Sequence, residues 1–498
     1  MGYATAVLIA LLVYRLGLYL YRYTLHPLAK FPGPRLAAVS SLYQIYYDII
    51  KDGQLTYHLQ DLHKKYGPIV RISHNEIHLS PPSAYHEIYR LNTPLIKHHG
   101  FYQLFNLSNS SFGTVSNADH RRKRSVLNQS FSRRTIFELE PLVQSKVDRL
   151  VQRLEDEYAG VGREVCVHNA YQAVTIDTVS DFSFGISYGV LNNADFRSRA
   201  MEAFDKQQEA FLVFKHFPLL ARLAGNMPFW LANLLMPDGA GFLEMEQDCR
   251  HQIQHLLSPA ADTPPAKAGH PTIFNRLLEA YPDPDEKTID YLAKEGVTVV
   301  SAGTHTTRHA LCVGTVYALQ KPEVGERLLR ELREVMPGVR DVASLKELES
   351  LPYLTAFMKE SLRLSYGVVG PLPRVVPAEG ATIAGAFFPG GTVVIMDSYI
   401  VHHNEDLFPS SHEFDPTRWL VPNAKELDKY LVSFSAGSRQ CLGMNLAWAE
   451  LYMVFARVFR RFEMELYEHE GEGIKIVEHW LPTVRGEKVR CTLKVREV

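Results

Sequence analysis

The sequence predicts a mainly α-helical protein with a minor β portion, carried behind a single N-terminal membrane helix. Three observations carry that expectation. Helical periodicity dominates from about residue 84 to residue 321. Strand-like alternation is confined to short stretches at residues 68–80, 382–396 and 477–495. Residues 3–21 are apolar except for Arg15.

That first segment, YATAVLIALLVYRLGLYLY, is long enough to cross a bilayer as a helix. It lacks a basic leader and a small-residue cleavage site, so a removed signal peptide fits poorly. Arg15, Arg22, Lys30 and Arg35 end or follow it, which places the body on the cytoplasmic side. A mid-span arginine costs about 2.5–3.5 kcal/mol, and the alternative it leaves open is a helix lying in the interface. The expected organisation is an anchor over residues 1–22, a stiff Pro/Gly linker over 23–36 containing HPLAKFPGPR, and one domain over 37–498.

Within the domain, Val70 and Ile72 followed by Ile77 and Leu79 alternate around His74-Asn75 and predict a hairpin. Residues 285–321 hold helical periodicity far beyond an average helix, so this helix is expected to run through the middle of the molecule. Residues 258–271, rich in Pro and Ala, predict a surface loop. No internal repeat is present. Of 498 residues 46% are hydrophobic and 22% charged, which is globular, and a net charge of −2 gives no argument for nucleic-acid binding.

The five cysteines are an odd number without a CxxC, which argues against disulfides and zinc. No HExxH occurs, and the His98-His99 and His402-His403 pairs lie in polar, loop-like sequence. Cys441 stands apart. It lies between a Gly-Arg turn and an apolar stripe of Leu442, Leu446, Ala449 and Met453, at the expected start of a helix whose free N–H groups favour an anionic sulfur. The alternative is that a bound iron deprotonates it. Gly437 and Gly443 let the backbone approach a flat ligand, and Arg439 suits an anionic group. A lone thiolate, a tight turn and an arginine are what a haem requires.

The pattern Phe434-x-x-Gly437-x-Arg439-x-Cys441-x-Gly443 resembles, at every fixed position, the haem-binding signature of the cytochromes P-450. Glu360 and Arg363 match that family's ExxR, and FDPTRW with Arg418 resembles the segment whose arginine completes a triad with it. The resemblance implies a folding role for these three. His120 and Arg124 resemble its W-x-x-x-R with histidine for tryptophan. It implies heme b with Cys441 as axial ligand of the iron, and Arg124, Arg374, Arg439 and His120 near its propionates.

On the oxygen side, Val299, Ala302, Gly303, Thr306 and Ala310 share one helical face, small at its centre. Close helix packing would prefer the same residues. AGTHTT resembles the family's (A/G)-G-x-(D/E)-T-T, which implies that Thr306 organises protons for dioxygen cleavage. His305 stands where the family usually has an acid, and a proton-carrying role for it is one expectation. By position, Phe101, Phe105, Phe112, Val299, Val368 and Val369 are expected to wall a substrate pocket.

The implied activity is monooxygenation of a hydrophobic small molecule with O2 and electrons from NADPH. These come through a separate reductase on a shared endoplasmic reticulum membrane, since no nucleotide fingerprint is present. FPGPR, KYGPIVRIS, HHNEDLFP and PLPRVVP look most like fungal microsomal members of secondary metabolism, which suggests a terpenoid or polyketide substrate. Rival readings are a haem-thiolate isomerase, dehydratase or peroxygenase and, more distantly, a serine hydrolase built on G-x-S-x-G at Gly185, Ser187 and Gly189.

Overall fold

The 35-residue helix that organises the molecule runs from Glu286 to Gln320. Asp285 caps it by accepting from the Thr288 N–H at 2.8 Å. The computed structural model describes residues 2–225, 227–235, 241–257, 269–281, 285–469, 471 and 473–497. Most of the loop expected at 258–271 lies outside the described residues.

Seven helices matter for the site: α1 (Gly2–Leu20), α2 (Asn117–Asn128), α3 (Val167–Phe184), α4 (Arg199–His216), α5 (Glu286–Gln320), α6 (Pro352–Ser365) and α7 (Met444–Arg461). α3 is buried on nearly every face and packs along α5, its small and apolar residues interspersed with buried polar ones such as Gln172, Thr175 and Asp177. α6 and α7 flank α5, and their apolar faces join it in one core that includes Val300, Leu311, Phe357, Leu451 and Phe455.

The expected hairpin forms from β1 (Ile69–Arg71) and β2 (Glu76–Leu79), with Ile69 opposite Leu79. It opens a five-stranded sheet with β3 (Ile96–Lys97), β4 (Arg374–Val375) and β5 (Val393–Ile395), in the order β1-β2-β5-β4-β3. Only the β2–β5 pairing is parallel. β3 and β4 are two residues each, too short for alternation to reveal them in sequence. A second sheet pairs Arg490–Val495 with Phe462–Leu466 and Val165–Cys166.

α1 is exposed along its length, and Tyr3–Leu25 is apolar enough to cross a membrane. The Pro/Gly segment behind it is docked on the sheet, not free-standing. Leu28 is buried, Phe31 stacks on Phe388 at 5.1 Å, and the Arg71 N–H donates to the Pro32 carbonyl at 2.7 Å.

Gly185, Ser187 and Gly189 follow the C-terminus of a helix, α3, and lead into a 3-10 turn at Val190–Asn192. A nucleophile elbow needs a strand before it and a helix after it, so the serine-hydrolase reading fails here.

Candidate active site

Around Glu360 the chain builds a buried ionic knot. The carboxylate accepts from Arg363 at 3.0 and 2.8 Å, Arg418 Nε at 3.1 Å, the Asp415 N–H at 2.9 Å and Trp419 Nε1 at 2.9 Å. Arg363 also donates to the carbonyls of His402, Ser411 and Glu413. Glu360 and Arg363 are both wholly buried, where a charge pair survives only if its remaining hydrogen-bond capacity is used. The knot reaches the Cys441 loop through His402, whose Nδ1 meets the Arg363 carbonyl at 2.7 Å while its Nε2 accepts from the Val432 N–H at 3.0 Å. His402 and His403 are thus buried structural groups, not loop residues.

From Phe434 to Gly443 the loop closes on itself: the Cys441 N–H donates to the Phe434 carbonyl at 2.9 Å. Gly437 has φ +70°, and a Cβ there would come within 2.4–2.6 Å of Tyr89 and Arg90 backbone atoms. Its glycine serves the turn and that close approach. A Cβ on Gly443 would meet only Phe131, at 4.0 Å. α7 starts at Met444 rather than at Leu442, with Gly443 as its N-cap. Burial pushes the Cys441 thiol up, opposed by the Gly443 N–H and Arg124. The fold alone therefore does not ionise this sulfur, and deprotonation falls to whatever it binds.

Cys441 is deep in the protein yet exposed, so its side chain borders an internal space. The same is seen in mid-α5, where Ala302 is exposed and Thr306 half-exposed between the buried Ser301, Thr304 and Thr307. Gly303 turns the other way: a Cβ on it would lie 3.0 Å from Val179 Cγ2 of α3, so its smallness permits helix packing. The Thr306 hydroxyl donates to the Ala302 carbonyl at 2.9 Å.

Five basic side chains converge from separate elements: Lys97 on β3, His120 and Arg124 on α2, Arg374 on β4 and Arg439 in the loop. Burial, then Arg439, Lys97, Arg124 and Arg374, press the His120 imidazole down to about 3. Burial, then Arg374, lower Arg439 to about 10, and burial with Arg374 and Arg439 holds Lys97 well below the usual lysine range. Arg439 donates to the Thr114 and Val115 carbonyls at 2.7 and 2.9 Å, and Arg374 to Tyr102 Oη at 3.0 Å. Among the described residues no salt bridge joins any of the five to a carboxylate. Basic side chains gathered in this way, with no salt-bridged carboxylate, suit an anion such as the two propionates a haem would bring. Lys97 was invisible in the sequence, since a single lysine in a short strand carries no pattern.

Phe101, Phe105 and Phe112 gather with two rings the sequence did not single out, Phe211 of α4 and Trp480. Phe105 lies 4.5 Å from Trp480 and stacks on Phe211 at 5.0 Å. Val299 and Val368 belong to the large main core that also holds these rings, whereas Val369 packs with Leu59, Val70 and Tyr399 against the sheet.

His305 is buried, stacks on Phe204 at 4.1 Å, and places Nδ1 3.4 Å from Asp205 Oδ1. Asp205 also faces Arg308 at 3.3 Å, Lys488 at 3.6 Å and His168 at 3.9 Å. Burial works to raise this carboxyl, but Arg308, then His168 and His305, hold it well below the usual range. Burial and then Arg308 push His305 well below its usual value, against the pull of Asp205. Asp205, His305, Arg308, Lys488, His168 and Thr306 line one cavity of about 150 Å³, with Leu481, Pro482 and Val484 on its apolar side.

The cytochrome P450 family matches residues 32–484. The cytochrome P450 monooxygenase MO6277 of Ascocoryne sarcoides is 38% identical over 501 residues, covering 97% of both chains. The conidiogenone synthase of Penicillium rubens is 35% identical over 483 residues and 96% of each chain. The tryptophan 6-hydroxylase of Fusarium equiseti is 34% identical over 474 residues, 94% of this chain and 92% of its own. An almost complete alignment with such enzymes, on a helical fold that presents a lone cysteine to an internal space, makes this chain a haem-thiolate monooxygenase of fungal secondary metabolism, a member of the cytochrome P450 family.

Proposed function

We propose that the protein is held by α1 in the endoplasmic reticulum membrane, body toward the cytoplasm, and hydroxylates or otherwise oxidises an apolar small molecule with O2 and NADPH-derived electrons from a separate reductase. The apolar helix Tyr3–Leu25, none of it buried, supports the anchor. The aromatic wall supports an apolar substrate, and we assign this to the terpenoid or polyketide class on the resemblance to fungal enzymes of secondary metabolism.

One observation carries the reading: Cys441, enclosed by protein, faces internal space beside a buried cationic cluster. Haem bound there would supply the dioxygen-activating chemistry, and the Cys441 sulfur would hold its iron. Arg439, Arg374, Arg124, His120 and Lys97 hold its propionates. Phe434 and Gly437 shape the loop. Glu360, Arg363 and Arg418 fix the 402–432 segment that delivers that loop.

On α5, the exposed Ala302 leaves room and Thr306 carries a hydroxyl. Burial and then Arg308 favour the uncharged imidazole of His305, a ring that could take a proton at one nitrogen as the other gives one up. Asp205 faces the ring from α4, and the cavity that both line reaches Thr306. The acid the family usually carries at position 305 is thus supplied from another helix. The reduced, carbon-monoxide-treated protein should show a thiolate-type absorption band, and NADPH-driven turnover with a reductase should add oxygen to one member of a terpenoid and polyketide panel. A protein that binds no haem would end the reading.

A further inference from the structure

A cavity of about 570 Å³ shares Phe101 with the aromatic cluster. A space of this size accommodates a small molecule. Its apolar side includes Leu104, Pro371 and Ile395, while its far side carries Asp397 and Glu478. Both acids are only 1% exposed, and both Asp397 oxygens and Glu478 Oε2 lack hydrogen-bond partners. Buried acceptors left unpaired are costly and call for a donor.

The cations nearby do not meet that need. Lys215 and His216 both engage Asp48, at 2.7 and 2.6 Å. His78 Nε2 comes within 3.2 Å of Asp397 Oδ2 without hydrogen-bond alignment, and its Nδ1 is joined to His63 at 2.7 Å. Glu76 is held by Gln44 at 2.8 Å, and Arg222 lies on the exposed rim. Burial, with Asp48 and Asp397 adding to it against Lys215, pushes the Glu478 carboxyl up to about 8. Asp397 Oδ1 and Glu478 Oε2 are thus left as buried acceptors without a donor at the edge of this space.

We propose that this cavity is a binding site for an apolar molecule bearing a primary amine, its ammonium donating to Asp397 and Glu478 and its apolar body lying against Phe101 and Leu104. That the site is an antechamber to the haem chamber rests on the proposed function; the binding itself does not.

The test is calorimetric titration of the full-length holoenzyme with 4-phenylbutylamine, 4-phenylbutan-1-ol and 4-phenylbutyrate, with the Soret band followed in parallel. The amine should bind at least tenfold more tightly than the alcohol and the acid. Asp397→Asn and Glu478→Gln should each weaken the amine at least fivefold and leave the alcohol within twofold. Melting curves identify a variant that fails to fold, in which case the other decides. Equal binding of amine and alcohol would overturn the proposal. So would an amine affinity unchanged in both variants and accompanied by a nitrogen-ligand Soret shift, which places the amine on the iron. Loss of turnover with binding intact would instead count against the antechamber alone.

Discussion

His305 Nδ1 on the central helix lies 3.4 Å from Asp205 Oδ1 on α4, inside a cluster that also holds Arg308, His168 and Lys488. The family's usual acid at position 305 is thus replaced by an imidazole with a carboxylate beside it. Two helices, not one, build this polar cluster beside Thr306.

If Asp205 orients His305 for proton delivery, Asp205→Asn should lower product formed per NADPH about tenfold, with hydrogen peroxide release rising in compensation. His305→Asp, which restores an acid beside Thr306, should retain coupling even in the Asp205→Asn background. Product, NADPH and peroxide measured together check both. Unchanged coupling in Asp205→Asn would leave the cluster with a purely structural role.

Glu360 receives its donors from two arginines, an indole and a backbone N–H, all directed at one buried carboxylate. Glu360→Gln leaves Arg363 charged and unpaired in the core at a cost of roughly 3–5 kcal/mol. The expected result is a protein that accumulates poorly and carries little haem, read as the haem-to-protein ratio after purification.

The two glycines of the loop should part company. Gly437→Ala forces a Cβ onto the Tyr89–Arg90 backbone at positive φ, so haem content and melting temperature should fall. Gly443→Ala meets nothing closer than Phe131 at 4.0 Å and should alter neither by much.

Glu450 of α7 supplies a pH test. Burial holds its carboxyl well above the usual range, opposed only by Thr307. The folded state then binds a proton that the unfolded chain releases above about pH 4.5, so this residue lowers stability as pH rises from that value. Glu450→Gln removes the titration. Its melting temperature should exceed that of the parent at pH 7.5, and the difference should vanish near pH 4. The opposite trend would show an ionised Glu450.

Much of this was legible before any coordinates. α5 was visible because 35 residues of unbroken periodicity cannot be anything short, and Cys441, Glu360 and Arg363 because fixed spacings on a loop and one helix turn are local. What escaped was the product of long-range convergence. Asp205 and Phe211 are ordinary helix residues until α4 crosses α5, and Lys97 is one lysine until β3 pairs with β4. Gly303 looked like room for a ligand, yet its small side faces Val179, because helix packing and ligand approach favour the same residue. The thiol raised by burial was equally out of reach, since desolvation depends on everything folded around the sulfur and not on its neighbours in the chain.

The most direct test of the central claim replaces Cys441 by serine in the full-length protein and compares reduced, carbon-monoxide-treated spectra with those of the parent. The parent should show the absorption band of a carbon monoxide complex opposite a thiolate, and Cys441→Ser should lose that band together with NADPH-dependent oxygen insertion. A variant that kept both would place the iron's ligand elsewhere and contradict the account.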